Sequence, residues 1–144
     1  MLNKQKICLK ATKYIYKWKR IINTENAPAP IGPYNQAIKI DNMLFISGQV
    51  AMDPGNNNEL IKSSVNDETH QVMKNLSAIL EEASMDFRNV VKTTIFLSDM
   101  SYFNEVNNIY GSYLKEGQEP ARETVAVKTL PKEVNVEISM IAVD

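Results

Sequence analysis

Apolar positions recur along this chain with two periods, and the switches between them predict the order of its elements. From about Asn66 to Met85, Val72, Leu76, Ile79, Leu80 and Ala83 return every three or four residues, marking one buried stripe along a helix. Val90 to Leu97 is instead rich in β-branched residues, as a strand is. Ala37 to Ile40 and Met43 to Val50 flank Asp41-Asn42, a pair suited to a tight hairpin turn, so they predict two adjacent strands. Asp99 or Ser101 can cap a second helix near Tyr102 to Leu114 that ends around Gly117. The last two strands are expected at about Glu123 to Lys128 and Val134 to Val143, joined by a short connection, with a further short strand near Ile21 to Thr24. The run Asp53-Pro54-Gly55-Asn56-Asn57-Asn58 reads as a surface loop of turn residues.

The order β-β-α-β-α-β-β implies an α+β layer structure with two helices on one face of the sheet. On the final strand Ile138, Met140 and Ala142 alternate with Glu137, Ser139 and Ile141, so both faces carry apolar groups. Helices on one side leave the other side exposed unless a second copy covers it, and a homo-oligomer is expected.

With 144 residues, 44% of them hydrophobic, the chain can bury one core and is short for two full domains. Polar groups interrupt every apolar run before it reaches the roughly eighteen residues of a membrane span, so no membrane partner is expected. The near-zero net charge hides an asymmetry. Seven of the sixteen basic residues lie between Lys4 and Arg20, before any acid, whereas the remainder carries nine basic against seventeen acidic, a net of −8. This divides the chain into a basic extension, 1–22, and a domain, 23–144. The extension reads either as a targeting segment, mitochondrial or for another organelle, or as an untargeted addition to a cytoplasmic protein. The acidic body disfavours nucleic acid as a partner. The single cysteine, Cys8, cannot build a disulfide framework or a cysteine zinc cluster, and the single histidine, His70, sits in a helical pattern with no partner for metal binding or for a serine–histidine triad.

Candidate chemistry concentrates in three places. Ala27 to Tyr34 is proline-rich, which forces an extended, positioned loop bearing Tyr34. Arg122, on the penultimate strand, offers a planar fork for a carboxylate. Glu137, on the last strand, is an acid among apolar neighbours and can hold or deprotonate a water. Together they suggest a site for a small acid and a water, the alternative being an ion pair that ties the two strands together. Ser47 in Phe-Ile-Ser-Gly-Gln has no base near it in sequence, which argues against a serine nucleophile.

Five segments in order, Gly32-Pro33-Tyr34-Asn35-Gln36-Ala37, Phe45-Ile46-Ser47-Gly48-Gln49, Val91 to Met100, Pro120-Ala121-Arg122 and Val136-Glu137-Ile138, resemble the RidA/YjgF family of reactive-imine deaminases, also called L-PSP endoribonucleases. The resemblance implies a chorismate-mutase-like α+β fold, assembled as a homotrimer with active sites in the clefts between subunits. It also implies hydrolysis of 2-imino acids (2-aminoacrylate, 2-iminopropanoate, 2-iminobutanoate) to 2-keto acids and ammonia, with no cofactor and no metal. On this resemblance Arg122 clamps the substrate carboxylate, Glu137 orients the attacking water, Tyr34 closes the pocket, and Ser47 and Gly48 line the cleft. Thr124 stands where many members carry cysteine, and its main chain can still hold substrate or water. Glu123 is expected on the face opposite Arg122. The other functions that the resemblance leaves open are an RNA-directed endoribonuclease or translation inhibitor, and a non-catalytic ligand-binding or chaperone-like trimer.

Overall fold

The structure, a computed structural model, describes residues 19–144. Most of the extension read as a leader therefore lies outside the described residues. Strand β1, Lys19–Ile22, nevertheless pairs with β2, Ala37–Ile40, so the sheet takes in four residues placed before the expected domain start. β2 and β3 (Met43–Gln49) form the expected hairpin, closed by Asp41 in the left-handed region at φ 51°. The turn residues that follow are more ordered than a plain loop. Met52–Asp53 (β4) and Glu59–Leu60 (β5) pair across a 3-10 turn at Pro54–Asn56, and Asn57 and Asn58 adopt φ of 50° and 58°.

Helix α1, Val65–Glu82, starts where Ser64 accepts a hydrogen bond from the Asp67 amide at 3.0 Å. Its stripe of Val72, Met73, Leu76, Ile79 and Leu80 is fully buried, and Ser84 at φ 61° turns the chain out. Strand β6 is Val90–Leu97. Asp99 then caps a 3-10 turn, Met100–Tyr102, that runs into helix α2, Phe103–Ser112; Gly117, at φ 79°, belongs to the following turn rather than to the helix end. Strands β7 (Ala121–Ala126) and β8 (Val136–Val143) complete the fold.

The main sheet runs β1-β2-β3-β8-β6-β7, antiparallel except for the parallel pair β6/β7. This is a mixed α+β architecture. Val136, Ile138, Met140 and Ala142 of β8 and Ile95 and Leu97 of β6 face the helices and form the core. The opposite face holds Ile40, Met43 and Phe45, each 38–40% exposed, and Ile21 at 54%. That is apolar surface on the side without helices, as the alternation in β8 anticipates.

β7 and β8 are consecutive in sequence but not neighbours. β6 lies between them, because the parallel crossover through α2 sets β7 on the far edge and leaves β8 to pair with β3 and β6. No described helix is long and apolar enough to cross a membrane.

Candidate active site

On the side without helices a cavity of about 300 Å³ opens between the proline-rich loop, β3 and β8. Tyr34, Ser47, Gly48 and Glu137 line it, with Pro131 and Lys132 at its lip and Ile31, Val50 and Met52 as apolar walls. Four of the residues singled out in the sequence thus meet in one place.

Local structure explains how. The ladder between β3 and β8 shifts register between Ile46 and Gln49, and this irregularity carries Ser47 and Gly48. Glu137 reaches into the cavity because position 48 has no side chain: a Cβ there would sit 2.8 Å from the Glu137 carboxyl carbon. Burial pushes the Glu137 carboxyl above its ordinary value, and no lysine or arginine among the described residues pairs with it. A carboxyl so tuned is suited to hold a water and exchange protons with it.

Ser47 donates its hydroxyl proton to the Asn35 carbonyl at 2.7 Å, while its amide donates to the Gln36 carbonyl at 3.0 Å. The hydroxyl is thus a tie between strand and loop, in keeping with the argument against a serine nucleophile. Tyr34 is half exposed at the mouth, its hydroxyl accepting from the Ile31 amide at 3.3 Å. The loop is anchored by Gln36, 2% exposed, whose side-chain amide donates to the carbonyls of Thr24, Ala27 and Pro28 at 2.9–3.1 Å and accepts from the Thr24 amide at 2.7 Å.

Arg122 lies elsewhere. On edge strand β7 it points to the helix side and donates to Asn107 Oδ1 at 2.7 Å, its guanidinium 5.3 Å from the Tyr110 ring centre and 5.7 Å from that of Phe103. Phe103, Asn107 and Tyr110 are spaced i, i+4, i+7 on α2, so one helical stripe forms the bed of the arginine. Tyr110 in turn donates to Thr93 Oγ1 at 3.0 Å, and burial raises its phenol. Two residues along, Thr124 shares this face, and its hydroxyl oxygen is buried with no hydrogen-bond partner, the one such side-chain atom among the described residues. Glu123 faces the other way, where it binds Lys92 and accepts from Thr94 at 2.7 Å.

The pairing of Arg122 with Glu137 expected from their adjacent strands is therefore corrected. Arg122 is in register with Thr93 and Glu137 with Phe96, and the two side chains project from opposite faces. They are separated by two strand spacings and by roughly 10 Å along the strands. Neither an ion pair nor a shared substrate is possible within one protomer. Sequence reasoning also missed Gln36, Asn107 and Lys132. The stripe through Asn107 was available as helical spacing, whereas the approach of Lys132 to the cavity depends on a loop with no periodic signal.

Comparison with known proteins identifies the family. The Endoribonuclease L-PSP family matches residues 24–144. A 2-iminobutanoate/2-iminopropanoate deaminase of Mus musculus is 47% identical over 125 residues, spanning 87% of this chain and 91% of the mouse protein. Among solved structures, a Rid-family protein from Yersinia pestis superposes with a TM-score of 0.84 at 42% identity, over 88% of this chain and 99% of that one. TdcF of E. coli with bound serine gives 0.81 at 35% identity, over 87% and 98%.

Proposed function

The chain belongs to the Endoribonuclease L-PSP family, and from that membership we propose that it hydrolyses 2-imino acids such as 2-aminoacrylate, 2-iminopropanoate and 2-iminobutanoate to 2-keto acids and ammonia. The observation that carries the reading is the Glu137 carboxyl, half-buried over Gly48 with its proton affinity raised. Water held by this carboxylate attacks the imine carbon. The carbon–oxygen bond forms as the carbon–nitrogen double bond becomes single, and the nitrogen takes up a proton. The carbinolamine then collapses: its hydroxyl proton leaves through Glu137 to the nitrogen, ammonia departs, and the keto acid remains.

The substrate carboxylate needs a cation that the cavity of one protomer does not supply through Arg122. A second copy supplies it: β7 is an edge strand, and Arg122 on it can enter a neighbour's cavity while apolar groups on the uncovered sheet face are buried between copies. The assembly is a homotrimer with three such clefts. Binding of serine, a small 2-amino acid, to the relative TdcF agrees with a carboxylate-recognising site. We place the reaction in the cytosol, with import into mitochondria or another organelle through residues 1–22 as the alternative; fusions to a fluorescent protein with and without residues 1–22 would show a different distribution if that segment directs import.

The test couples the protein to a serine or threonine dehydratase and follows the transient imine absorbance. Faster decay with the wild type, lost in Arg122→Ala and Glu137→Ala, is expected. No acceleration by the assembled wild type would overturn the reading in favour of a non-catalytic ligand-binding oligomer.

A further inference from the structure

Behind the cavity, on the helix side, lies a carboxylate that the chemistry above does not use. Glu68, in the first turn of α1, is 2% exposed, and no cation among the described residues pairs with it. Such burial is costly unless both carboxylate oxygens are hydrogen-bonded. Both oxygens are answered by one residue: Oε2 accepts from the Asn135 amide at 2.9 Å and Oε1 from Asn135 Nδ2 at 2.7 Å. The amide dipoles at the start of α1 add a favourable field. Asn135 is gripped from its other side by Ser98 at the end of β6, whose hydroxyl donates to Asn135 Oδ1 at 2.9 Å and whose amide donates to the Asn135 carbonyl at 3.0 Å. All four polar groups of Asn135 are thereby committed.

Asn135 separates two walls of the cavity. Upstream are Pro131 and Lys132 at the lip, with Lys132 and Glu133 both left-handed at φ of 59° and 56°. Non-glycine residues keep such angles only where the surroundings hold the chain. Two residues downstream is Glu137. We propose that Glu68 and Asn135 are positioning residues, a carboxylate–amide clamp that fixes the lip of the cavity and sets where the Glu137 carboxyl stands. The proposal deepens the imine-hydrolysis reading and rests on it for its catalytic consequence.

The test uses Glu68→Gln, Asn135→Asp and the double variant E68Q/N135D in the full chain. The first sets an amide against the donors of Asn135, and the second opposes two carboxylates. The double variant reverses the polarity of the pair, so that amide and carboxylate again complement each other and the Ser98 hydroxyl keeps an acceptor. Two readouts are taken: the titration midpoint of the Glu137 carboxyl by NMR without substrate, and kcat and KM for imine decay. In the single variants the midpoint is expected to move toward that of an ordinary glutamate as water enters, and kcat to fall about tenfold with KM little changed. In the double variant the midpoint returns to that of wild type and kcat to within about threefold of it.

Folded single variants with unchanged midpoint and kcat, or a double variant as impaired as the singles, would overturn the clamp. If the singles do not fold, the double variant decides: wild-type midpoint and kcat support the clamp, and loss of both overturns it. Should wild type fail to hasten imine decay, the hydrolysis reading falls while the Glu137 midpoint still decides the clamp.

Discussion

The carboxylate of Glu137 occupies the space that a side chain at position 48 would need, so Gly48 and Glu137 form a single steric unit across β3 and β8. Gly48→Ala therefore pushes the carboxyl out of the cavity. We expect a fall in kcat of about 100-fold, the cost of misplacing a reacting group by about 1 Å, with the protein still folded. Imine-decay kinetics alongside thermal unfolding check this, and an alanine variant with normal turnover would contradict it.

Complementation tests the division of the site between copies. Arg122→Ala and Glu137→Ala subunits are each expected to be inactive alone. Unfolded together and refolded as a mixture, they should regain activity at about one quarter of the sites, those that draw arginine from one parent and glutamate from the other. A mixture as inactive as its parents would place both residues in one protomer's site, against the opposite-face geometry.

Asn107 aims Arg122 through a 2.7 Å hydrogen bond. Asn107→Ala frees the guanidinium to rotate over Tyr110 and Phe103, and KM for the imino acid should rise about tenfold, the loss of one hydrogen bond to a charged group. Arg122→Lys should cost more, because a point charge cannot reproduce the fork. Equal KM values in wild type and both variants would remove the clamp role.

The raised Glu137 carboxyl has a signed effect on stability. Its pKa in the folded state exceeds that in the unfolded chain, so between the two values the folded state binds more protons. Stability from this group is complete below the ordinary glutamate range, declines as pH rises toward the folded value, and stays lower above it. Glu137→Gln should raise the Tm at pH 7 and have little effect at pH 4, while abolishing turnover. Thermal unfolding of both proteins across pH 4–8 measures the difference; a gap in Tm that does not grow with pH would contradict the assignment.

The open sheet face predicts association. Phe45 lies opposite Ile141 in the β3/β8 register and is 39% exposed. Native mass spectrometry of wild type should give three copies, and Phe45→Glu should shift it toward monomer by placing a charge in the buried interface. Trimers of unchanged stability in that variant would show that the interface lies elsewhere.

Much of this was legible in the linear sequence. The α1 stripe, the Asp41-Asn42 hairpin and the β-branched run of β6 are written in local periodicity and turn chemistry, which depend on near neighbours alone. The five motif segments carried the family and named Tyr34, Ser47, Gly48, Glu137 and Arg122. Strand alternation alone separated Glu123 from Arg122. What only the tertiary structure decided was which strands lie side by side and which faces their side chains share. A crossover through α2 inserted β6 between β7 and β8, and three residues of register put Arg122 and Glu137 on opposite faces. The same holds for Glu68 and Asn135, 67 residues apart, whose clamp exists only once α1 packs beside the entry to β8. Periodicity fixes the face of an element relative to its own axis. The partner of that face is chosen by packing of the whole chain, which no local pattern encodes.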